Sequence, residues 1–171
     1  MGLDAAEVSE LFARVVGQAH VLVGDAIAED YGRDEALTAA PQAPLAVVRP
    51  ASTDEVAAVL RLADERRIPV TARGAGTGMS GACIPEPDGI VVSFERMNRI
   101  LEIDEENFVA VVEPGVQLDQ LDAELAPRGL VYPVFPGEYS ASLGGNVNTN
   151  AGGMRAVKYG VTRHHVLGVE A

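Results

Sequence analysis

The feature that most constrains this chain is the segment VTARGAGTGMSG at 70–81, where Gly74, Gly76, Gly78 and Gly81 follow directly on an apolar run. Glycines at alternate positions open positive φ values. Successive N–H groups can then turn toward one concave point, and such a nest holds an anion. A diphosphate suits it, with two negative charges and several acceptor oxygens. Thr77 and Ser80 add hydroxyl donors, and Arg73 offers a positive charge nearby. The competing reading is a tight turn or β-bulge that binds nothing, but four glycines this close together exceed what a turn requires. Arg73 by itself fits a phosphate contact, an acid partner or open solvent.

Gly76, Gly78 and Gly81 also match G-x-G-x-x-G, the dinucleotide fingerprint, with Glu102 near the place of its acidic partner. That fingerprint needs its last glycine inside the start of a helix. Pro85 and Pro87 follow instead, and 90–94 is β-like, so no helix can run there. A P-loop nucleotidase is excluded because no Gly-Lys-Ser/Thr follows the glycines.

Charge and cysteine usage narrow the partners. With 25 acids against 13 bases the net charge is −12, so a nucleic-acid backbone is repelled over most of the surface. The single cysteine, Cys83, permits no internal disulfide and fits a reducing compartment. No apolar stretch reaches the roughly 18 residues of a membrane span, and residues 1–10 lack a basic region before an apolar core. The expected location is the cytoplasm, with peripheral attachment through another subunit left open.

Along the chain, residues 4–16 place Val8, Leu11, Phe12 and Val15 on one helical face. Residues 17–44 read as a Gly-, Asp- and Pro-punctuated connection. A buried strand over 45–48 closes at Arg49-Pro50. Ser52 then stands three residues before Glu55, the capping-box spacing, and opens a helix with Val56, Val59, Leu60 and Ala63 inward. With a strand at 70–72 this makes a βαβ unit and predicts a parallel pair. Beyond the glycines come short strands at 90–94, 100–103 and 108–112, the acidic run Asp104-Glu105-Glu106 forming a solvated hairpin turn. A helix over about 116–127 carries Leu118, Leu121 and Leu125 inward and stops at Pro127 and Gly129. Residues 130–160 show little periodicity and predict a long functional loop; 166–171 begins a further strand.

Within 136–160, PGEYSASLGGNVNTNAGGMRAVKYG, two glycine pairs flank Asn146, Asn148 and Asn150. Asparagine carries donors and acceptors together, which suits the mixed edge of a flavin ring. Paired glycines let main chain run flat against a planar ligand. A polar Ω-loop with self-satisfied asparagines accounts for the same residues equally well. His164 and His165, if on a strand, point to opposite faces and cannot chelate one ion together. Neither they nor Tyr159 reads as catalytic, and no zinc spacing, Ser-His-Asp set or paired carboxylate is present.

Three ordered segments, PVTARGAGTGMSGA (69–82), VVEPGV (111–116) and LGGNVNTNAGGMRAVKYGVTRHHVLGVE (143–170), together resemble the FAD-linked oxidases of the vanillyl-alcohol oxidase and p-cresol methylhydroxylase type. Within that superfamily the chain is most similar to the FAD-binding subunit of glycolate oxidase and to D-lactate and D-2-hydroxyglutarate dehydrogenases. The resemblance covers 42–171, and the first 40 residues add little to it.

It implies an α+β fold of the FAD-binding type. The expected parts are an N-terminal helix and connection (1–41), a first sub-domain (42–129) and the start of a second (130–171). Gly74, Ala75, Gly76, Thr77, Gly78 and Ser80, with Arg73, are implied to cradle the FAD diphosphate. Pro136, Ser142, Gly145, Asn146, Asn150 and Gly153 are implied to line the flavin and the rest of the diphosphate. Non-covalent FAD is expected, because members that tether it often use a histidine in or near the first loop and none stands there. Cys83 reads as a small residue filling a core gap. Residues 136–143 run one position short of the usual segment, and Phe135 stands where the family often has Asp, which loosens the assignment over 138–142.

The implied reaction is hydride transfer to the flavin from the hydroxyl-bearing carbon of a 2-hydroxy acid such as glycolate or D-lactate. The family's substrate domain and catalytic histidines have no counterpart in this sequence. The chain alone is therefore expected to be inactive, to hold FAD weakly or not at all, and to self-associate or meet a partner subunit through the edge at 166–171. Two other classes fit the glycine loop. One is a non-catalytic FAD- or nucleotide-binding module of a multisubunit complex. The other is a flavoenzyme of the UDP-sugar reductase type, which 143–153 and 155–170 follow less closely.

Overall fold

Asp4 caps the first helix in both directions. Its carboxylate accepts the N–H groups of Ala6 and Glu7, and the Glu7 carboxylate reaches back to the Asp4 N–H. The computed structural model describes residues 4–170, which divide into two compact units between Met97 and Asn98.

In the first unit, α1 (Ala5–Val16) buries Val8, Phe12 and Val16, with Leu11 and Val15 partly covered. After β1 (Val21–Leu22) and β2 (Ala46–Val48) comes α2 (Thr53–Arg66). Ser52 Oγ accepts the Glu55 N–H at 3.2 Å, while the Glu55 carboxylate takes the N–H of Ala51, one residue earlier than a reciprocal box requires. Val59 and Ala63 form the inner face of α2, supported by Leu62. Leu60, expected inward, is 46% exposed because it lies about 100° around the helix from Val59.

With β3 (Val70–Arg73) and β4 (Ile90–Ser93) the sheet has the order β1-β2-β4-β3. β4 pairs in parallel with both β2 and β3, and β1 is antiparallel to β2. The strands flanking α2 are thus not partners of each other, as the βαβ reading expected; β4 comes between them. Alternation puts Ala46, Val48, Ile90 and Val92 against the helices, and Val47, Val91, Ser93 and Arg73 on the opposite face. All of these are buried, as strands of a parallel sheet covered on both sides should be. Parallel neighbours need a long return connection. Between β3 and β4 that connection is 74–89, which contains the glycine segment and no helix.

In the second unit, β5 (Ile100–Asp104) and β6 (Val109–Val112) form an antiparallel hairpin whose turn is closed by Asp104 accepting the N–H groups of Glu106 and Asn107. α3 (Leu118–Leu125) buries Leu118, Leu121 and Leu125, as its spacing predicts. Glu113, 7% exposed, takes both Arg99 Nη2 (2.6 Å) and Nε (3.1 Å), and also the Arg99 N–H at 2.8 Å, fastening the base of the hairpin.

The long loop expected over 130–160 contains two helices, α4 (Leu143–Thr149) and α5 (Ala156–Tyr159). Glycine and asparagine are poor helix formers and hid α4; tertiary contacts decide it. Leu143 joins the core of the unit, its N–H bonding Val116 C=O and the Gly144 N–H bonding Pro114 C=O, both at 2.8 Å. A β-carbon at 144 would stand 2.6 Å from the Pro114 side chain, so only glycine allows this approach. Residues 166–170 form no strand, and the edge expected to invite self-association is absent from them; Ala171 lies outside the described residues. His164 and His165 sit in a 3-10 turn (Thr162–His165) rather than a strand. His164 Nδ1 accepts the Val161 N–H, and His165 Nε2 bonds Tyr159 C=O.

Phe12 is fully buried in the first core, so Phe12→Ala should destabilise that unit by about 3–5 kcal/mol. Leu60→Ala should cost only about 1 kcal/mol, the ordinary range for a half-exposed site. Urea denaturation of both variants checks the placement; equal losses would contradict the observed face of α2.

Candidate functional site

β3 delivers Arg73 to the carboxyl end of the sheet, 8% exposed and on the face away from the helices. Its Nη1 donates to the Arg33 carbonyl at 2.6 Å, and the guanidinium lies over the Tyr31 ring, 5.7 Å from its centroid. Gly76 takes φ +76, and a β-carbon there would collide with that guanidinium. The Gly78 carbonyl accepts the Glu35 N–H at 2.8 Å, and Gly81, at φ +77, accepts the Ile84 N–H at 3.1 Å. Positive φ therefore occurs at Gly76 and Gly81, not at every alternate glycine. The N–H groups of Gly76, Thr77 and Gly78 have no acceptor among the described residues. Gly74, Ala75 and Thr77 are half-buried, and Ser80 is exposed.

Around this loop lies a polar network that the sequence did not announce. The Tyr31 hydroxyl donates to Glu95 at 2.7 Å, and Arg49 Nη1 and Ser93 Oγ reach the same carboxylate at 3.0 and 3.1 Å. Burial alone would raise Glu95, but these hydrogen bonds outweigh it and hold the carboxyl below its usual range. Burial, with the bond to Glu95, pushes Tyr31 up to about 12. Burial also pushes the Cys83 thiol up, against the opposing charge of Arg73, which leaves it a poor nucleophile. Asp34 Oδ1 caps the Ala36 N–H at 3.0 Å, and its Oδ2 is out of solvent beside Gly78 without a partner.

The second set of expected residues lies in the second unit. Ser142 caps α4, its Oγ accepting the Gly145 N–H at 3.3 Å. Asn146 is 5% exposed, and its Nδ2 has no acceptor. Asn150 ends the helix at φ 50, its Oδ1 taking the Arg163 N–H at 3.0 Å. Thr162 fastens the next residue through N–H and Oγ1 to Ala151 C=O, at 3.0 and 2.7 Å. Gly153 lies so close to Phe135 C=O and Pro136 that no β-carbon fits. Phe135 packs on Tyr139 with centroids 4.3 Å apart and the rings tilted by 34°, and Arg155 lies over the Phe135 ring, 5.9 Å from its centroid.

A surface groove of about 540 Å³, lined by Arg99, Glu102, Gln120, Glu124 and Arg128 among others, contains none of these residues. Its arginines are engaged by Glu113, Glu105 and Glu124. Sequence reasoning missed Tyr31, Arg33 and Glu35 as neighbours of the glycine loop. They sit in a connection without periodicity, where only the mix of an aromatic with charged residues stood out. No helix among the described residues is long and apolar enough to cross a membrane.

Residues 44–171 match a family described as FAD binding domain. An uncharacterized FAD-linked oxidoreductase of Mycobacterium tuberculosis is 57% identical over 165 residues, covering 96% of this chain and 36% of its own length. D-lactate dehydrogenase of Anaerostipes hadrus is 47% identical over 160 residues, covering 94% and 34%. The solved structure of p-cresol methylhydroxylase with substrate bound aligns with a TM-score of 0.71 at 25% identity, over 85% of this chain and 29% of that one. The resemblance and the α+β fold expected from the three segments are thereby confirmed. The chain spans about a third of the length of the curated relatives it matches.

The network around Glu95 sets a two-sided pH window. A depressed carboxyl contributes stability above the ordinary Glu value of about 4.3, and that contribution is lost as pH falls through its lowered pKa. A raised phenol contributes below about 10, and its part is lost as pH rises through about 12. Glu95→Gln should flatten the acid limb in a pH series of urea midpoints. An unchanged acid slope in the variant would show that the carboxylate is not linked to folding.

Proposed function

The chain belongs to the FAD binding domain family, and from that premise we propose that its glycine loop holds the diphosphate of FAD in a flavin-dependent oxidoreductase acting on a 2-hydroxy acid. The observation that carries the proposal is the row of N–H groups at Gly76, Thr77 and Gly78, which lack acceptors at the carboxyl end of β3. Open α/β sheets bind ligands at that end of their strands. Asn146 supports the same reading from the second unit. A donor so deeply buried costs free energy unless something accepts from it, and a flavin edge or phosphate oxygen is such an acceptor.

In this assignment Gly74, Ala75, Gly76, Thr77, Gly78 and Ser80 present backbone and hydroxyl donors to the diphosphate, with Arg73 as the nearest cation. Asn146 presents its amide to the flavin or the remaining phosphate oxygen. Pro136, Ser142, Gly145, Asn150 and Gly153 shape the path of the main chain beside it. By cofactor contact the division falls into 42–129 and 130–171, although packing divides the chain between Met97 and Asn98. FAD is held without a covalent link: the three histidines are His20, His164 and His165, none within the loop, and Cys83 is a poor nucleophile. Bound FAD supplies the two-electron acceptor for oxidation of a hydroxyl-bearing carbon. D-lactate and glycolate are the proposed substrates, on the similarity to D-lactate dehydrogenase. The proposed location is the cytoplasm, in keeping with a single reduced cysteine.

We assign no catalytic residue within this chain, so it should bind FAD only weakly and reduce no dye when given D-lactate, glycolate or D-2-hydroxyglutarate. Robust turnover with any of them would overturn that assignment. In a fluorescence titration with FAD, Asn146→Leu should weaken binding by about tenfold, equivalent to ~1.4 kcal/mol. Its thermal midpoint without ligand should stay level or rise, because an unmet buried donor is removed. Unchanged FAD affinity in that variant would remove Asn146 from the site.

A further inference from the structure

Residues 31–35 precede the part of the chain that matches the FAD binding domain family, which begins at 44, yet they hold the glycine loop at two points. Glu35 N–H fixes the Gly78 carbonyl at 2.8 Å. Arg73 Nη1 is fixed on the Arg33 carbonyl at 2.6 Å, and its guanidinium carbon lies over the Tyr31 ring, 5.7 Å from the centroid. That guanidinium occupies the space where a side chain at 76 would go, so Gly76 rests on it at φ +76. Tyr31 is itself tied by its hydroxyl to Glu95, which Arg49 and Ser93 also hold.

We propose that the segment from Tyr31 to Glu35, acting through Arg73, is a positioning brace that fixes the anion-binding shape of the loop before ligand arrives. The inference rests on the reading that this loop holds the FAD diphosphate. A loop rich in glycine loses more conformational freedom on ordering than any other, and binding is weakened by whatever ordering is left for the ligand to impose. The brace does that ordering in advance. Arg73 is then a positioning residue whose planar fork matters as well as its charge. One of its N–H groups is committed to the Arg33 carbonyl, and its charge lies over the Tyr31 ring.

The chemistry separates this role from plain charge neutralisation. Lysine keeps the charge but has neither the fork nor the planar face of a guanidinium. The purified protein and its Arg73→Lys, Arg73→Met and Tyr31→Leu variants are titrated with FAD by flavin fluorescence, and their thermal midpoints are measured without ligand. Hydrogen exchange is followed over residues 74–80 in the same ligand-free samples. The expected result is that all three variants bind FAD about tenfold or more weakly, with faster exchange across 74–80; the two Arg73 variants keep thermal midpoints close to the parent, while Tyr31→Leu loses its bond to Glu95 and melts lower. Recovery of parental affinity by Arg73→Lys would overturn the brace in favour of a simple charge at the phosphate. So would unchanged affinity in all variants, or affinity losses that merely follow falls in thermal midpoint. If the parent protein itself fails to bind FAD, the functional reading and the brace fall together. Parental binding with indifferent variants sinks the brace alone.

Discussion

Because β3 and β4 are parallel neighbours, the chain leaving Arg73 has to travel back along the sheet before it can re-enter at Ile90. In most such units a helix makes that return. Here Pro85 and the glycines preclude one, so irregular backbone makes it, and its polar groups need partners from outside the segment. Some come from within the unit, such as the Glu35 N–H on Gly78 C=O and the Ile84 N–H on Gly81 C=O. The N–H groups of Gly76, Thr77 and Gly78 find none among the described residues, and this concentrates unmet donors at the carboxyl end of the strands. The row of unmet donors is thus a consequence of topology before it is one of composition.

Attraction of an anion has to be local in this protein. With a net charge of −12, the field of the whole surface opposes a diphosphate. Many of the carboxylates close to structure are tied down: Glu113 by Arg99, Glu95 by Tyr31, Arg49 and Ser93, Asp104 by its own turn. What remains at the loop is neutral N–H dipoles, one buried guanidinium and the enclosed Asp34 Oδ2 beside Gly78, whose negative charge opposes an anion. Dipoles of that kind act over short distances, and they act well only if they are already aimed, so rigidity counts for more here than charge.

Much of this was legible in the sequence where physics is local. The leucine spacing of α3, the capping residues of α2 and the acidic hairpin turn each follow from a single short window. The glycine segment was recognisable for the same reason, since its residue types restrict backbone geometry directly. Three features were not legible. The insertion of β4 between β2 and β3 depends on pairing between distant strands, which no window contains. Apart from Leu143, α4 is written in Gly, Asn, Val and Thr, all weak helix formers, and it forms because Leu143 and Gly144 are anchored on Val116 and Pro114. The neighbours Tyr31 to Glu35 were read as a connection because side chains that support a loop need no periodicity of their own.

In the second glycine-rich segment, several of the polar and glycine residues also carry structural tasks within the chain. Ser142 Oγ caps α4, and Asn150 Oδ1 accepts a backbone N–H from Arg163, so both have an internal task that accounts for their chemistry. Gly153 is required by its closeness to Phe135 and Pro136. Asn146 differs: its amide is enclosed, it lies on the same short helix, and its Nδ2 donor has nothing to receive it. Two asparagines four residues apart thus stand in different surroundings: one ends the helix, and the other carries a buried donor with no acceptor among the described residues.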